Sequence, residues 1–99
     1  QYVYKMTDGQ VIIGRENHMS EYLSGKSYVS RAHAKLFLEE SGLSVENMSS
    51  TNFTYVNNKK IQERTKLQDG DEVGLGGMSI NGSRQEEAAY FLVRIGQCM

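Results

Sequence analysis

An all-β sandwich is the fold this sequence predicts, and three observations lead to it. Apolar residues recur mostly at every second position, residue pairs that tolerate positive φ fall between those runs, and only one short stretch carries helical spacing. Short strands at such close intervals build a sandwich or a barrel.

Taken in order along the chain, Gly14-Arg15 closes the second apolar run. From His18 to Ser27, Met19, Tyr22 and Leu23 stand at i, i+3 and i+4, but a single turn buries too little to persist, so this stretch is predicted to be loop. Alternation then resumes, with Ala34, Leu36 and Leu38 against Lys35, Phe37 and Glu39, and with Leu43 and Val45 against Ser44 and Glu46. A last strand sets Phe91, Val93 and Ile95 against Tyr90, Leu92 and Arg94. Between these runs, Asp8-Gly9, Ser41-Gly42, Asn57-Asn58, Asp69-Gly70 and Asn81-Gly82 supply the turns. The polar stretch from Ser79 to Glu87 reads as an exposed connection.

A chain of 99 residues is one domain's worth, so residues 1–99 are assigned to a single unit. Its opening at Gln1 suggests a piece of a longer polypeptide. Eleven Lys and Arg face 12 Asp and Glu, for a formal charge of -1, which leaves no basic excess to hold nucleic acid unspecifically. An anion would have to be held by a local site. The one cysteine, Cys98, cannot form an internal disulfide or a cysteine-built zinc site and reads as a surface thiol, which fits a reducing, cytoplasmic setting. No apolar run approaches the ~18 residues of a membrane span, and no leader stands at the start, so no membrane insertion is expected. The Asn-x-Ser/Thr triplets at Asn47, Asn52 and Asn81 read as chance in such a chain. Nothing here sets an oligomeric state.

Polar groups gather where the strand pattern breaks: Gly14-Arg15, Ser30-Arg31-Ala32-His33, and Ser49-Ser50-Thr51-Asn52. Loops at one end of a sandwich lie side by side however far apart they are in sequence, so these three segments can converge. Together they would offer a phosphate ester what it requires. Arg15 presents a planar fork of donors, Ser30 a short hydroxyl, and the Arg31 loop a backbone N–H. Charge-assisted bonds of about 1.5–3 kcal/mol each, offset by the cost of association, suit affinities near the micromolar range, roughly -8 kcal/mol.

Four segments, taken in order, carry a family resemblance: Ile13-Gly14-Arg15; Ser30-Arg31-Ala32-His33; Ser50-Thr51-Asn52-Phe53-Thr54-Tyr55-Val56-Asn57; and Leu67-Gln68-Asp69-Gly70-Asp71-Glu72-Val73. This succession resembles the signature of forkhead-associated (FHA) domains over about residues 2 to 95. The resemblance implies a β-sandwich of about eleven mostly antiparallel strands whose end loops bind peptides carrying phosphothreonine. It implies that Arg15 and Ser30 hold the phosphate, that Arg31 reinforces them, that Thr51 lies beside the phosphothreonine, and that Asn52 hydrogen-bonds the peptide main chain. Gly14 and His33 take structural roles on this reading. Tyr28, with Arg31, would help to choose residues after the phosphothreonine, and Lys26 would add positive potential.

Two residues depart from that pattern. Phe53 stands where the family has glycine, which predicts a strained or reshaped turn after Asn52. Asn58 stands for a hairpin glycine, a milder change because asparagine tolerates positive φ.

Other chemistries fit less well. Ser24-Gly25-Lys26-Ser27 resembles the end of a phosphate-binding P-loop, but that motif requires glycine where Ser20 stands and a helix running on from Lys26. Ser30 and His33, three apart on loop and strand, do not form a nucleophile–base pair, and no paired carboxylates, metal cluster or cofactor motif accompanies them. The expected function is therefore a phosphothreonine-dependent binding module in Ser/Thr kinase signalling, not an enzyme, with no cofactor. The alternative is a module on the same sandwich that recognises an unphosphorylated partner, as the loss of the glycine at Phe53 would suggest.

Overall fold

A computed structural model describes residues 2–78, 81 and 83–96. Two four-stranded sheets share one core. The first holds β1 (Gln10–Ile13), β2 (Ala34–Glu39), β3 (Gly42–Asn47) and β6 (Thr65–Leu67) in the order β1-β2-β3-β6. The second holds β4 (Thr54–Val56), β5 (Lys59–Lys60), β7 (Glu72–Leu75) and β8 (Ala89–Leu92) in the order β5-β4-β7-β8. Every neighbouring pair is antiparallel.

Burial follows the alternation of the strands. Val11, Ile13, Leu36, Val45 and Leu67 face inward from the first sheet, and Val56, Val73, Leu75 and Ala89 from the second. Each buried Val, Leu or Ile side chain contributes about 1.5–3 kcal/mol relative to exposure. This core holds the strand ends in place, and so fixes where the loops emerge.

Turn chemistry works as the sequence suggested at most positions. Val56 pairs with Lys59 across Asn57-Asn58, whose φ values of 50° and 67° are those of a two-residue type I′ hairpin. Positive φ also falls at Gly42, Gly70 and Asn81, but not at Gly9. Gly82 and Cys98, like Ser79, lie outside the described residues.

The number and extent of the strands differ from expectation. Among the described residues there are eight strands, not about eleven. The opening segment packs Tyr4 and Met6 on the core without joining a ladder. Past β8, Val93 exchanges backbone bonds with Asp71 and Gly70, each 2.8 Å, yet the chain no longer runs as strand, so the segment through Ile95 is shorter than its alternation implied.

The stretch expected to be loop contains a one-turn helix, α1 (Ser20–Leu23). A turn this short is not stable by itself; tertiary packing holds it, since Met19 and Leu23 are buried in the shared core. Met19 takes φ 71° to enter it.

In β2 burial departs from alternation at two positions: Phe37 is buried and Leu38 is 41% exposed. Leu38 lies beyond the edge of the core. Phe37, on the outer face, is covered by the Arg64 guanidinium 3.8 Å above its ring and by Lys35 at 5.3 Å. Arg64 is held there by Ser44 and Glu39, at 2.9 and 2.6 Å. Among the described residues, no helix is long and apolar enough to cross a membrane.

Candidate functional site

The chain leaves β1 at Gly14 and passes so close to the loop before β2 that no side chain fits. A Cβ on Gly14 would lie 2.2 Å from the Arg31 carbonyl oxygen and 2.7 Å from that of Ser30. Backbone bonds tie the two segments: Arg15 N–H donates to Ser30 O at 3.1 Å and Glu16 N–H to Arg31 O at 3.2 Å. The Arg15 Nε–H donates to the Val29 carbonyl. That bond sets the plane of a half-buried guanidinium, and among the described residues nothing accepts from its two terminal nitrogens.

The third loop joins through hydroxyls. Ser30 Oγ lies 2.6 Å from Ser49 Oγ, and Asn52 Nδ2 donates to Ser30 Oγ at 3.2 Å. Ser49 Oγ also accepts from the Asn52 amide at 2.9 Å and the Thr51 amide at 3.3 Å. The other Nδ2 proton of Asn52 reaches Thr51 Oγ1 at 3.5 Å, which leaves Asn52 Oδ1 open as an acceptor. Asn47 anchors the base of this loop, accepting from Thr54 Oγ1 and donating to the Ser49 carbonyl, each at 2.8 Å.

His33 fastens all three segments from beneath. Fully buried, it accepts the Ser30 amide on Nδ1 at 3.0 Å, so the proton is on Nε2, which donates to the Phe53 carbonyl at 3.1 Å. Its backbone N–H donates to Ile13 O at 2.9 Å, and its carbonyl accepts from the Met48 and Ser49 amides at 2.8 and 3.2 Å. Burial pushes the imidazole below its ordinary pKa, against a smaller opposing pull from the Phe53 carbonyl. With both nitrogens occupied by backbone groups, neither is left to take a proton from the Ser30 hydroxyl.

Arg15, Ser30, Thr51, Asn52, Gly14 and His33 are therefore brought together at one end of the sandwich. Arg31 is there too, with its guanidinium turned to Glu16 at 3.4 Å in an exposed pair and its amide without an acceptor among the described residues. Exposed pairs of that kind contribute about 0–1 kcal/mol, so the side chain is easily redirected. Tyr28 is 42% exposed at the border. Its backbone meets Gly76, where φ is +90° and a Cβ would stand 2.3 Å from Tyr28 O. Gly76 N–H in turn donates to Phe53 O at 2.8 Å.

The turn after Asn52 is not strained as Phe53 suggested, because Phe53 is absent from the positive-φ residues. Its ring lies outward beneath Lys60 Nζ, 3.7 Å from the centroid. Lys26, on the segment that resembled a P-loop, follows α1 instead of opening a helix and donates to Glu86 O at 3.1 Å. Beside it Ser27 donates twice to the Glu87 carboxylate, at 2.7 Å from Oγ and 3.3 Å from its amide, and these bonds hold that carboxyl below its usual range. Ser49 is the residue the sequence reading did not single out. It sits among other small polar residues, and only its bonding separates it from Ser50. No group of metal-binding side chains occurs among the described residues.

The family model described as FHA domain matches residues 11–76. No curated protein sequence matches. The chain is similar to a solved domain from a structural and functional analysis of phosphothreonine-dependent FHA domain interactions, at 27% identity and TM-score 0.73, covering 96% of this chain and 85% of that one. It is similar to the FhaA FHA domain in complex with the intracellular domain of Rv3910, at 32% identity and TM-score 0.59, covering 74% and 78%. It also resembles the FHA-2 domain of the Mycobacterium tuberculosis ABC transporter Rv1747, at 26% identity and TM-score 0.59, covering 92% and 82%. With a family match over two thirds of its length, the chain belongs to the FHA domain family.

Proposed function

We propose that this domain binds phosphothreonine in peptide segments of partner proteins, as an adaptor in cytoplasmic Ser/Thr kinase signalling and not as a catalyst. One observation carries the reading: the free end of the Arg15 guanidinium and the Ser30 hydroxyl emerge from the same loop junction, joined by the Arg15 N–H to Ser30 O bond of 3.1 Å. A doubly charged ester set there meets the two terminal nitrogens of Arg15, the Ser30 hydroxyl and the open Arg31 amide. Asn52 Oδ1 accepts a main-chain N–H of the peptide, and Thr51 borders the threonine. Tyr28 and Arg31 meet the residues that follow.

The likeness to a domain from work on phosphothreonine-dependent FHA interactions supports the same reading. Phe53, which had suggested a partner without phosphate, takes ordinary φ and so gives that alternative no support. The test is a titration of matched phosphorylated and unphosphorylated peptide libraries against the domain and its Arg15→Ala variant. Phosphorylated peptides should bind near the micromolar range and weaken about tenfold to a hundredfold in the variant, the worth of one or more charge-assisted bonds. Equal binding of both libraries to the native domain would remove the proposal.

A further inference from the structure

The geometry points to Ser49 as a positioning residue that turns the Ser30 hydroxyl into a pure donor for the phosphate. The inference rests on the phosphopeptide reading above, and it follows from counting protons.

A hydroxyl has one proton and two lone pairs. Both lone pairs of Ser49 Oγ are engaged, by the Asn52 amide at 2.9 Å and the Thr51 amide at 3.3 Å. Only its proton remains, so in the 2.6 Å contact Ser49 donates and Ser30 accepts. Ser30 Oγ then accepts a second bond, from Asn52 Nδ2 at 3.2 Å. Its lone pairs are now filled as well, and its proton has no acceptor among the described residues. The one capacity left to Ser30 is to donate outward.

This arrangement favours an anion over any ligand that must donate to Ser30. Two donors at Ser30 Oγ also polarise its O–H bond, which strengthens the bond it gives. The chain of bonds begins at the Thr51 and Asn52 amides, so the loop that borders the peptide orients the hydroxyl on another loop before any ligand arrives.

Aspartate at position 49 separates the relay from simple loop structure. Its carboxylate still accepts both amides but has no proton to give, so the Ser30 hydroxyl must turn inward and donate to it. Threonine at 49 keeps both functions. The experiment titrates a bound phosphothreonine peptide by NMR, which reads affinities into the millimolar range, against Ser49→Asp and Ser49→Thr. Each is made in the native chain and in a Ser30→Ala background, where any loss caused by the new charge alone remains. Thr51 and Asn52 amide shifts report whether the loop is intact.

Ser49→Asp should weaken binding about tenfold to a hundredfold more in the native chain than in the Ser30→Ala background, the worth of one hydrogen bond to a charged group. Ser49→Thr should bind within about threefold of native, well inside what one such bond contributes. Equal losses from Ser49→Asp in the two backgrounds would overturn the relay while leaving phosphate recognition standing. A native domain that does not distinguish phosphorylated from unphosphorylated peptide would remove the underlying reading, and the relay with it.

Discussion

Acidification puts a proton in competition with the bond that His33 makes to the loop carrying Ser30. The ring is fully buried and its Nδ1 accepts the Ser30 amide at 3.0 Å, so a proton arriving there would face another donor. Burial therefore holds its pKa below 6.5 in the folded chain, while the unfolded chain takes up the proton near that value. Wherever the unfolded state binds more protons, stability rises with pH. His33 thus leaves stability intact above about pH 6.5 and erodes it as the pH falls through that value, at up to about 1.4 kcal/mol per unit for one proton. By pH 5 the loss reaches at most about 2 kcal/mol, a sizeable share of the 5–15 kcal/mol that holds a domain folded. Glu21, whose carboxyl is lowered by a backbone hydrogen bond and by Tyr2, and Glu87, lowered by Ser27, act in a separate window below 4.5. Urea unfolding at pH 7.5, 6.5, 5.5 and 5.0 gives the slope, and an NMR titration of the His33 ring gives its midpoint. Stability that is flat over this range, or a ring midpoint at or above 6.5, would refute the reasoning.

Three further substitutions probe the supports of the site. Gly14→Ala forces a methyl to within 2.2 Å of the Arg31 carbonyl oxygen and 2.7 Å of that of Ser30, and should cost about 1–3 kcal/mol and weaken phosphopeptide binding; an unchanged melting temperature would contradict the close approach. Asn57→Ala keeps φ near 50° without the side-chain bonds to Asp71 Oδ1 and from the Glu72 amide, each 3.0 Å, and should lower stability by about 1–2 kcal/mol in urea titration. Phe53→Gly restores the family's residue at a position that does not need positive φ, so it should destabilise by about 1 kcal/mol through added chain entropy and the lost Lys60 contact. A gain in thermal stability would show that Phe53 is strained after all.

Much of this architecture is legible in the chain itself, because alternation and turn residues are local signals. Ala34, Leu36 and Val45 face inward as a period of two requires, and Asn57-Asn58 makes the hairpin turn its composition allows. What escapes such reading depends on distant partners. Phe37 is covered by Arg64, 27 positions later, together with Lys35, and α1 persists because the core accepts Met19 and Leu23. The same division holds at the site. Arg15, Ser30 and Asn52 stand out by type and order, whereas Ser49 is distinguished by which protons reach its oxygen, a property of three loops at once. The turn after Asn52 differs from its sequence expectation for a similar reason: the Phe53 carbonyl is fixed by His33 and Gly76, and these contacts, not the residue's own preference, set its backbone.

The brevity of β5 bears on how the domain behaves in a crowd. Its two residues, Lys59 and Lys60, are both exposed and form one of the two margins of the second sheet. A strand from a neighbouring molecule, laid along that margin, would find almost no backbone to zip against and two ammonium groups in its way. Lateral stacking of copies into fibres along this rim is thereby discouraged.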